Sequence, residues 1–468
     1  MALKFYNTLK RKKQTFKPIH GNEVRIYSCG PTVYNYVHLG NLRAYIFVDL
    51  LRRYLKYKGF KLKHVMNITD VDDKTIRDSQ KENKSLKEFT EFYTKAFFED
   101  LKKLNIEIAE ILPKASEEIP GMVDLIKILL KKGYAYKNEK GDIYFKIAKF
   151  KNYGKLALID AENLKKNADG RLNDADEYGK EDVRDFALWK AYDHSDGNVF
   201  WETEIGKGRP GWHIECSVMS SKYLGQPFDI HTGGVDLIFP HHTNEIAQSE
   251  AAYNKKFVKF WLHNEHLIVN GEKMSKSLGN FFTLNDLLKK GYSPRAIRYE
   301  LFSAHYKAKL DFREDNLKKI PDILQKFYDF LDKLDEIKSE KSNKKVDRLI
   351  QKSKKQFTKE MDNDLNISGG LAAVFEFMTS INKIIEKISK EDAIKIKETM
   401  LGFDSVLGIM EHEKVKINPE IEDLLKQREE ARKIKDFKKA DEIRNQIKEK
   451  GYIIEDSSEG LRVKKIQG

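Results

Sequence analysis

Four residues in this chain carry the ligand chemistry of a zinc site: Cys29, Cys216, His241 and Glu245. His241 and Glu245 stand in i, i+4 relation, so a helix would present both on one face. The two cysteines lie far apart in the chain, so only folding can join them. Their spacing is no standard zinc motif, and either cysteine alone reads more readily as a buried structural thiol. A second group is His38-Leu39-Gly40-Asn41, after a short apolar segment and at the start of a helical pattern. Glycine there allows close backbone approach. Free amides at a helix start favour phosphate, and His38 can donate to a phosphoryl oxygen. An ordinary turn accounts for the same four residues. The third group is Lys273-Met274-Ser275-Lys276-Ser277, followed by Leu278-Gly279-Asn280. Two lysines among small hydroxyl residues suit a loop that clamps phosphates and neutralises a leaving pyrophosphate. The plain alternative is a solvated basic turn.

The elements that must position these groups are readable in outline. Residues 24–28 form a strand pattern that ends at Cys29-Gly30-Pro31. Apolar residues then recur at helical spacing from Leu42 to Tyr57, and Lys63 to Ile68 reads as a second strand. Strand, glycine-bearing turn, helix and strand make the βαβ unit of a doubly wound parallel sheet, which binds nucleotides at its strand C-termini. A helical stretch is expected over 80–135, a hairpin at Gly141–Phe145, and an exposed insertion at 164–184. Phe228 to His231 reads as another core strand, Thr232-Gly233-Gly234 as its turn, with a helix starting near His241. Leu317, Ile320, Leu324, Phe327, Leu331 and Leu334 follow a 3, 4 rhythm, the seam of a helical bundle. A charged loop is expected at Lys338–Lys345, more amphipathic segments to 410, and a linker at Val415–Pro419. A charged helical hairpin over 420–450 and a basic β-like tail at 451–468 complete the chain.

Length and composition bound the function. The 468 residues allow about three domains. A 40% hydrophobic and 11% aromatic content excludes wholesale disorder. No apolar run approaches the roughly 20 residues of a membrane span. The basic stretch Lys10–Lys13 is followed by no apolar segment, so no secretory signal is expected. Two cysteines exclude a disulfide scaffold and fit a reducing, cytoplasmic setting. The net charge of +13 suits a polyanionic partner, or simply a lysine-rich solvated surface.

The His38 and Lys273 groups, in this order and in an αβ context, resemble the HIGH and KMSKS signatures of class I aminoacyl-tRNA synthetases. The resemblance sharpens in Cys29-Gly30-Pro31-Thr32-Val33-Tyr34, in Asn67-Ile68-Thr69-Asp70-Val71-Asp72-Asp73-Lys74, and in Asp185-Phe186-Ala187-Leu188-Trp189-Lys190. It continues in Arg209-Pro210-Gly211-Trp212-His213-Ile214-Glu215-Cys216-Ser217 and Phe239-Pro240-His241-His242, with Asn244-Glu245-Ile246-Ala247-Gln248-Ser249. Over nearly the whole chain these are similar to the cysteinyl-tRNA synthetase family. Three positions depart from its usual pattern: Asn41 replaces a histidine, Thr232 stands in a turn often all glycine, and Thr243 stands where an acidic residue is common. Asn41 still donates an N–H but carries no charge.

The resemblance implies an α/β fold: a Rossmann-like doubly wound parallel sheet with an insertion, an α-helical bundle and a small mixed α/β C-terminal module. It divides the chain into catalytic halves 1–115 and 210–265, a connective insertion 116–209, a KMSKS and stem-contact segment 266–312, a bundle 313–414 and an anticodon-binding module 415–468. It puts one Zn²⁺ on Cys29, Cys216, His241 and Glu245, where the substrate thiolate would join the ligands and so be selected over serine. ATP with Mg²⁺ would meet His38, Gly40, Asn41, Lys273, Ser275 and Lys276, with His38, Asn41, Lys273 and Lys276 catalytic. Thr69, Trp212, His231 and Asp236 would form the L-cysteine pocket; for each, a packing role is the equal alternative. Arg432, Phe437, Asp441 and Asp456 would meet the anticodon of tRNA(Cys); a solvated helix face with Phe437 in a small core is the equal alternative. A cytoplasmic monomer without membrane contact is implied. Two other functions fit parts of the pattern. One is a ligase passing cysteine to a small amino sugar; the other is an inactive RNA-binding relative, with Asn41 as its symptom.

Overall fold

The computed structural model describes residues 2–159, 185–275, 278–410, 419–457 and 460–465. The expected insertion at 164–184, Lys276, Ser277 and the linker up to 418 lie outside these residues. Two compact units are distinguished. One comprises Met1–Leu284, Leu301–Phe312 and Gln356–Leu371; the other comprises Asn285–Glu300, Arg313–Lys355 and Ala372–Gly468.

The first unit is built on a four-stranded parallel sheet. Strand β1 (Glu23–Ser28) leads through α1 (Leu39–Tyr57) to β2 (Lys61–Met66). Much later α2 (Trp212–Leu224) leads to β3 (Phe228–Gly234), and α3 (His241–Tyr253) leads to β4 (Val258–Asn264). The spatial order is β4-β3-β1-β2, and every neighbouring pair is parallel. The chain thus moves one way from β1 and the other way from β3. The carboxyl ends of β1 and β3 form the topological switch point, where open α/β sheets hold ligands. Covered strands need apolar residues on both faces. Val24, Ile26, Phe228 and Ile230 accordingly have no exposed surface, each contributing about 1.5–3 kcal/mol by burial.

Helix α1 begins at Leu39, within the group expected to open it, because His38 and Asn41 form a capping box there. Two local differences from the sequence expectations have physical causes. Thr232-Gly233-Gly234 is not a turn but the end of β3, paired with Leu262, His263 and Asn264 of β4. The helical stretch 80–135 separates into Asp73–Lys81, Leu86–Lys103 and Ile119–Lys131. Ser85 caps the second of these reciprocally with Glu88.

Between β2 and α2 the chain also forms a five-stranded antiparallel sheet. Its order is Ala135–Lys137, Ile143–Phe145, Phe186–Ala191, Gly206–Pro210 and Trp201–Thr203. A small sheet joins Leu267–Val269 to Glu272–Lys273 and to Leu310–Phe312. Buried Arg43 of α1 donates to the carbonyls of Glu265 and His266, both at 2.6 Å. That pins the lead into the Lys273 segment against the helix that carries Asn41.

The second unit is mainly helical. Its seam residues Leu317, Ile320, Leu324, Phe327, Leu331 and Leu334 are all buried, as their spacing requires. Phe327 packs on Phe375 at 4.8 Å between ring centres, and Phe377 on Phe403 at 6.2 Å. Further on, helices Pro419–Lys433 and Phe437–Glu449 share a small core of Ile421, Ile443, Ile447 and Tyr452. Strands Tyr452–Ser457 and Gly460–Lys465 then pair antiparallel. Among the described residues no helix is long and apolar enough to cross a membrane.

Candidate active site and metal centre

The ligating atoms of Cys29, Cys216, His241 and Glu245 all lie within 4.8 Å of one another. They come from three parts of the switch point. Cys29 follows β1 directly, Cys216 stands one turn into α2, and His241 and Glu245 share a face of α3. Glu245 has no exposed surface, and its Oε1 has no hydrogen-bond partner although His241 Nε2 is 3.1 Å away. Its Oε2 is 2.9 Å from His231 Nε2. An orphaned carboxylate oxygen among two thiols and an imidazole is a donor set that suits zinc.

The electrostatics agree with that donor set. Burial opposes the charge of Glu245, but His231 and His241 hold its carboxyl down at about 2. Burial also opposes the charge of His241, yet Cys216 and Glu245 raise it to about 10. The thiols divide their proton unequally. Burial works to raise Cys216, but its bond with Cys29 and the charge on His241 bring it down to about 6. Cys29 itself is pushed up by burial and by Cys216.

A second grouping shares two of these residues. Cys29 and Glu245 also lie within 4.8 Å of His231 and His242. His242 Nδ1 is 2.8 Å from His263 Nε2, and His263 Nδ1 is 2.8 Å from Thr8 Oγ1. His241 Nδ1 is similarly 3.0 Å from His213 Nδ1, which leaves Nε2 facing Glu245. Such outer partners orient metal ligands. Sequence reasoning missed His213, His242 and His263 as parts of the site. The signal for His213 and His242 was their placement at positions −3 from Cys216 and +1 from His241; nothing in the sequence marked His263.

The other candidate pocket residues sit around this group. The Trp212 ring lies against His241, tilted by 30° with centres 4.3 Å apart. Thr69 is buried, and its hydroxyl donates to Glu215 Oε2 at 2.9 Å. Asp236 is exposed on the single turn Val235–Ile238. Its charge acts on both the Cys29 thiol and the His38 ring.

The two signature segments meet. Leu39 N donates to the Phe282 carbonyl at 3.0 Å, and the His38 ring lies 5.3 Å from that of Phe281. A side chain on Gly40 would press on His38 and sit 3.5 Å from Met274. Asn280 braces the loop: its Oδ1 accepts from Ser275 N at 2.8 Å, and its Nδ2 donates to the Lys273 carbonyl at 3.2 Å. Lys273 is exposed at the end of its strand. Burial lowers His38 below its usual value, so the ring is neutral near pH 7. Its Nδ1 accepts from Asn41 N, which leaves the proton on Nε2.

At the C-terminal end the candidates are dispersed. Arg432 and Asp441 are exposed on the two helices, and the backbone of Asp456 lies in the strand Tyr452–Ser457. Phe437 is 62% exposed. It therefore takes no part in the small core, contrary to the alternative in which that core holds it.

A parallel sheet with a nucleotide-type switch point and these two touching signatures defines a class I tRNA synthetase catalytic domain. A family model described as "tRNA synthetases class I (C) catalytic domain" matches residues 15–322, a DALR domain matches 356–411, and a "Cysteinyl-tRNA ligase anticodon binding domain" matches 415–463. The chain is 48% identical to a cysteine–tRNA ligase of Brachyspira hyodysenteriae, over 98% of this chain and 99% of that one. It is 45% identical to that of Chlamydia muridarum over the whole of both. A solved Mycobacterium tuberculosis methionyl-tRNA synthetase in complex with methionyl-adenylate shares the fold, with a TM-score of 0.60 at 13% identity, covering 83% of this chain and 90% of that one. The chain belongs to the cysteine–tRNA ligase family of class I enzymes.

Proposed function

We propose that this chain activates L-cysteine with ATP and Mg²⁺ as cysteinyl adenylate, then passes it to the terminal adenosine of tRNA(Cys). The observation that carries the reading is a two-thiol, imidazole and carboxylate group at the switch point of a synthetase sheet. Cys29, Cys216, His241 and Glu245 would hold one zinc ion. Bound there, zinc would favour a thiolate over a hydroxyl, a one-atom distinction that an ordinary pocket makes poorly. Trp212 would wall the pocket beside His241, with Thr69 and His231 behind. Asp236, exposed and acting on both the thiol group and His38, would take the α-ammonium or a ribose hydroxyl.

In activation, the cysteine carboxylate attacks the α-phosphorus of ATP and pyrophosphate leaves. His38 donates through Nε2–H and Asn41 through its amide. Lys273 and Lys276 neutralise charge in flight. Gly40 allows close backbone approach to phosphate, and Ser275 would contribute its hydroxyl. No protein nucleophile is needed. By class I analogy, transfer starts at the ribose 2′-hydroxyl. The division into catalytic halves 1–115 and 210–265, insertion 116–209, stem-contact segment 266–312, bundle 313–414 and C-terminal module 415–468 belongs to the same reading, as does a monomer acting in the cytoplasm. The match of 415–463 to an anticodon-binding domain favours an RNA acceptor over a small amine.

The test is ATP–pyrophosphate exchange dependent on L-cysteine, with L-serine as control, before and after metal chelation. Exchange with cysteine only, lost on chelation and restored by zinc, is expected. Exchange with serine, or indifference to chelation, would overturn the metal-selection step.

A further inference from the structure

We propose that Asn67, which is not a ligand in either metal grouping, is a positioning residue: its side chain sets the separation of the two cysteine arms and thereby the metal affinity. The inference rests on the metal reading above. Strands β1 and β2 leave the sheet level with each other, since Ser28 pairs with Met66. The next residues, Cys29-Gly30 on one strand and Asn67 on the other, therefore emerge side by side. Beyond them Thr69 N donates to the Pro31 carbonyl at 3.1 Å and Val33 N to the Thr69 carbonyl at 3.2 Å.

The amide of Asn67 reaches both arms. Its Oδ1 accepts from Gly30 N at 2.9 Å and from Tyr27 OH at 3.1 Å, and Cys216 Sγ lies 3.8 Å from the same oxygen. Its Nδ2 donates to Thr69 Oγ1 at 3.0 Å, and Thr69 in turn donates to Glu215 Oε2 at 2.9 Å. One branch thus holds the residue after Cys29 and packs against Cys216 Sγ, a van der Waals contact once that thiol is ionised. The other ends on Glu215, the residue before Cys216. Asn67, Tyr27, Thr69, Glu215 and Cys216 are all buried, so water cannot replace these bonds cheaply. The backbone is as tightly apposed: a Cβ on Gly30 would fall 1.6 Å from the Asn67 carbonyl oxygen. The cysteine arms come from elements with no helix or strand in common, and this one side chain ties them together.

Outer partners of this kind change metal affinity by about 10–100-fold. The experiment is zinc affinity of the full-length chain by competition with a chromophoric chelator, for wild type, Asn67→Ala and Tyr27→Phe. Cobalt-loaded protein is examined in parallel for its thiolate charge-transfer absorption. Expected is a loss of zinc affinity of about 10–100-fold for Asn67→Ala, with weakened thiolate absorption. Tyr27→Phe, which keeps the ring and removes one donor, is expected to lose several-fold. Circular dichroism of the metal-free chains checks folding. If Asn67→Ala fails to fold, Tyr27→Phe decides alone. Unchanged affinity and unchanged cobalt absorption in the folded variants would overturn the role of Asn67 and leave the metal reading standing. A wild-type chain that binds neither zinc nor cobalt would overturn both.

Discussion

His38 and Asn41 cap each other: Asn41 N donates to His38 Nδ1 at 3.3 Å, and His38 N donates to Asn41 Oδ1 at 3.4 Å. The asparagine that departs from the usual signature is thus the residue that starts α1 and fixes the His38 tautomer. Asn41→Ala is expected to lower stability by about 1 kcal/mol and to reduce pyrophosphate exchange. Asn41→Asp keeps the oxygen that accepts from His38 but sets a negative charge at the phosphate site. It should melt like wild type and lose at least about tenfold in exchange. Equal exchange in Asn41→Asp and wild type would remove position 41 from the nucleotide site.

The two metal groupings differ in His241 with Cys216 against His242 with His231. The first has two soft thiol donors where the second has one. In the second, His231 Nε2 is already tied to Glu245 Oε2 at 2.9 Å. His241→Ala is therefore expected to abolish stoichiometric zinc, and His242→Ala to retain it. Elemental analysis of the purified variants decides. The reverse pattern would shift the site to the second grouping.

Asp100 supplies a pH dependence away from the site. Burial pushes its carboxyl up from 3.8 to about 6, against the pull of Lys103. Between those values the folded chain keeps a proton that the unfolded chain has released. Stability is therefore lost as pH rises from about 4 to about 6, and it is not regained above. Asp100→Asn removes the titration. It should raise the melting point near neutral pH, by the equivalent of about 1–3 kcal/mol, and change little at about pH 4. Parallel melting curves at both pH values test this, and an equal shift at both would contradict it.

Phe437 offers a clean probe of the C-terminal module, because a residue 62% exposed contributes little to stability. Stacking on an unpaired base contributes about 1–3 kcal/mol. Phe437→Ala in the full chain is expected to leave melting and pyrophosphate exchange unchanged and to raise the KM for tRNA roughly tenfold. An unchanged KM would remove the ring from the RNA surface.

Much of this chain was readable from local rules. Strand, turn and helix around Cys29 and His38 follow from apolar runs and a glycine-bearing turn. The seam from Leu317 to Leu334 follows from its spacing, because a helix buries whatever recurs every three or four residues. The pairing of His241 with Glu245 is also local, since one turn of helix brings i and i+4 together. Residue types and signatures were enough to name the class of chemistry.

What only the tertiary structure decided is what stands next to what across long stretches of chain. Cys29 meets Cys216 because β3 is laid against β1 in the order β4-β3-β1-β2, and no periodicity encodes that order. Thr232-Gly233-Gly234 has turn composition, yet it is strand because β4 lies beside it to accept the pairing. Asn67 looked like one more residue of a matched stretch. Its contacts with Tyr27 and Gly30 exist because β1 and β2 end level with each other, and its contact with Cys216 because α2 packs over that end. Local sequence sets which conformation a segment prefers, but contacts between distant segments are set by the packing of whole elements. The meeting of the two thiols with the His241–Glu245 pair, and the reach of Asn67 to Gly30 and Cys216, are contacts of that kind.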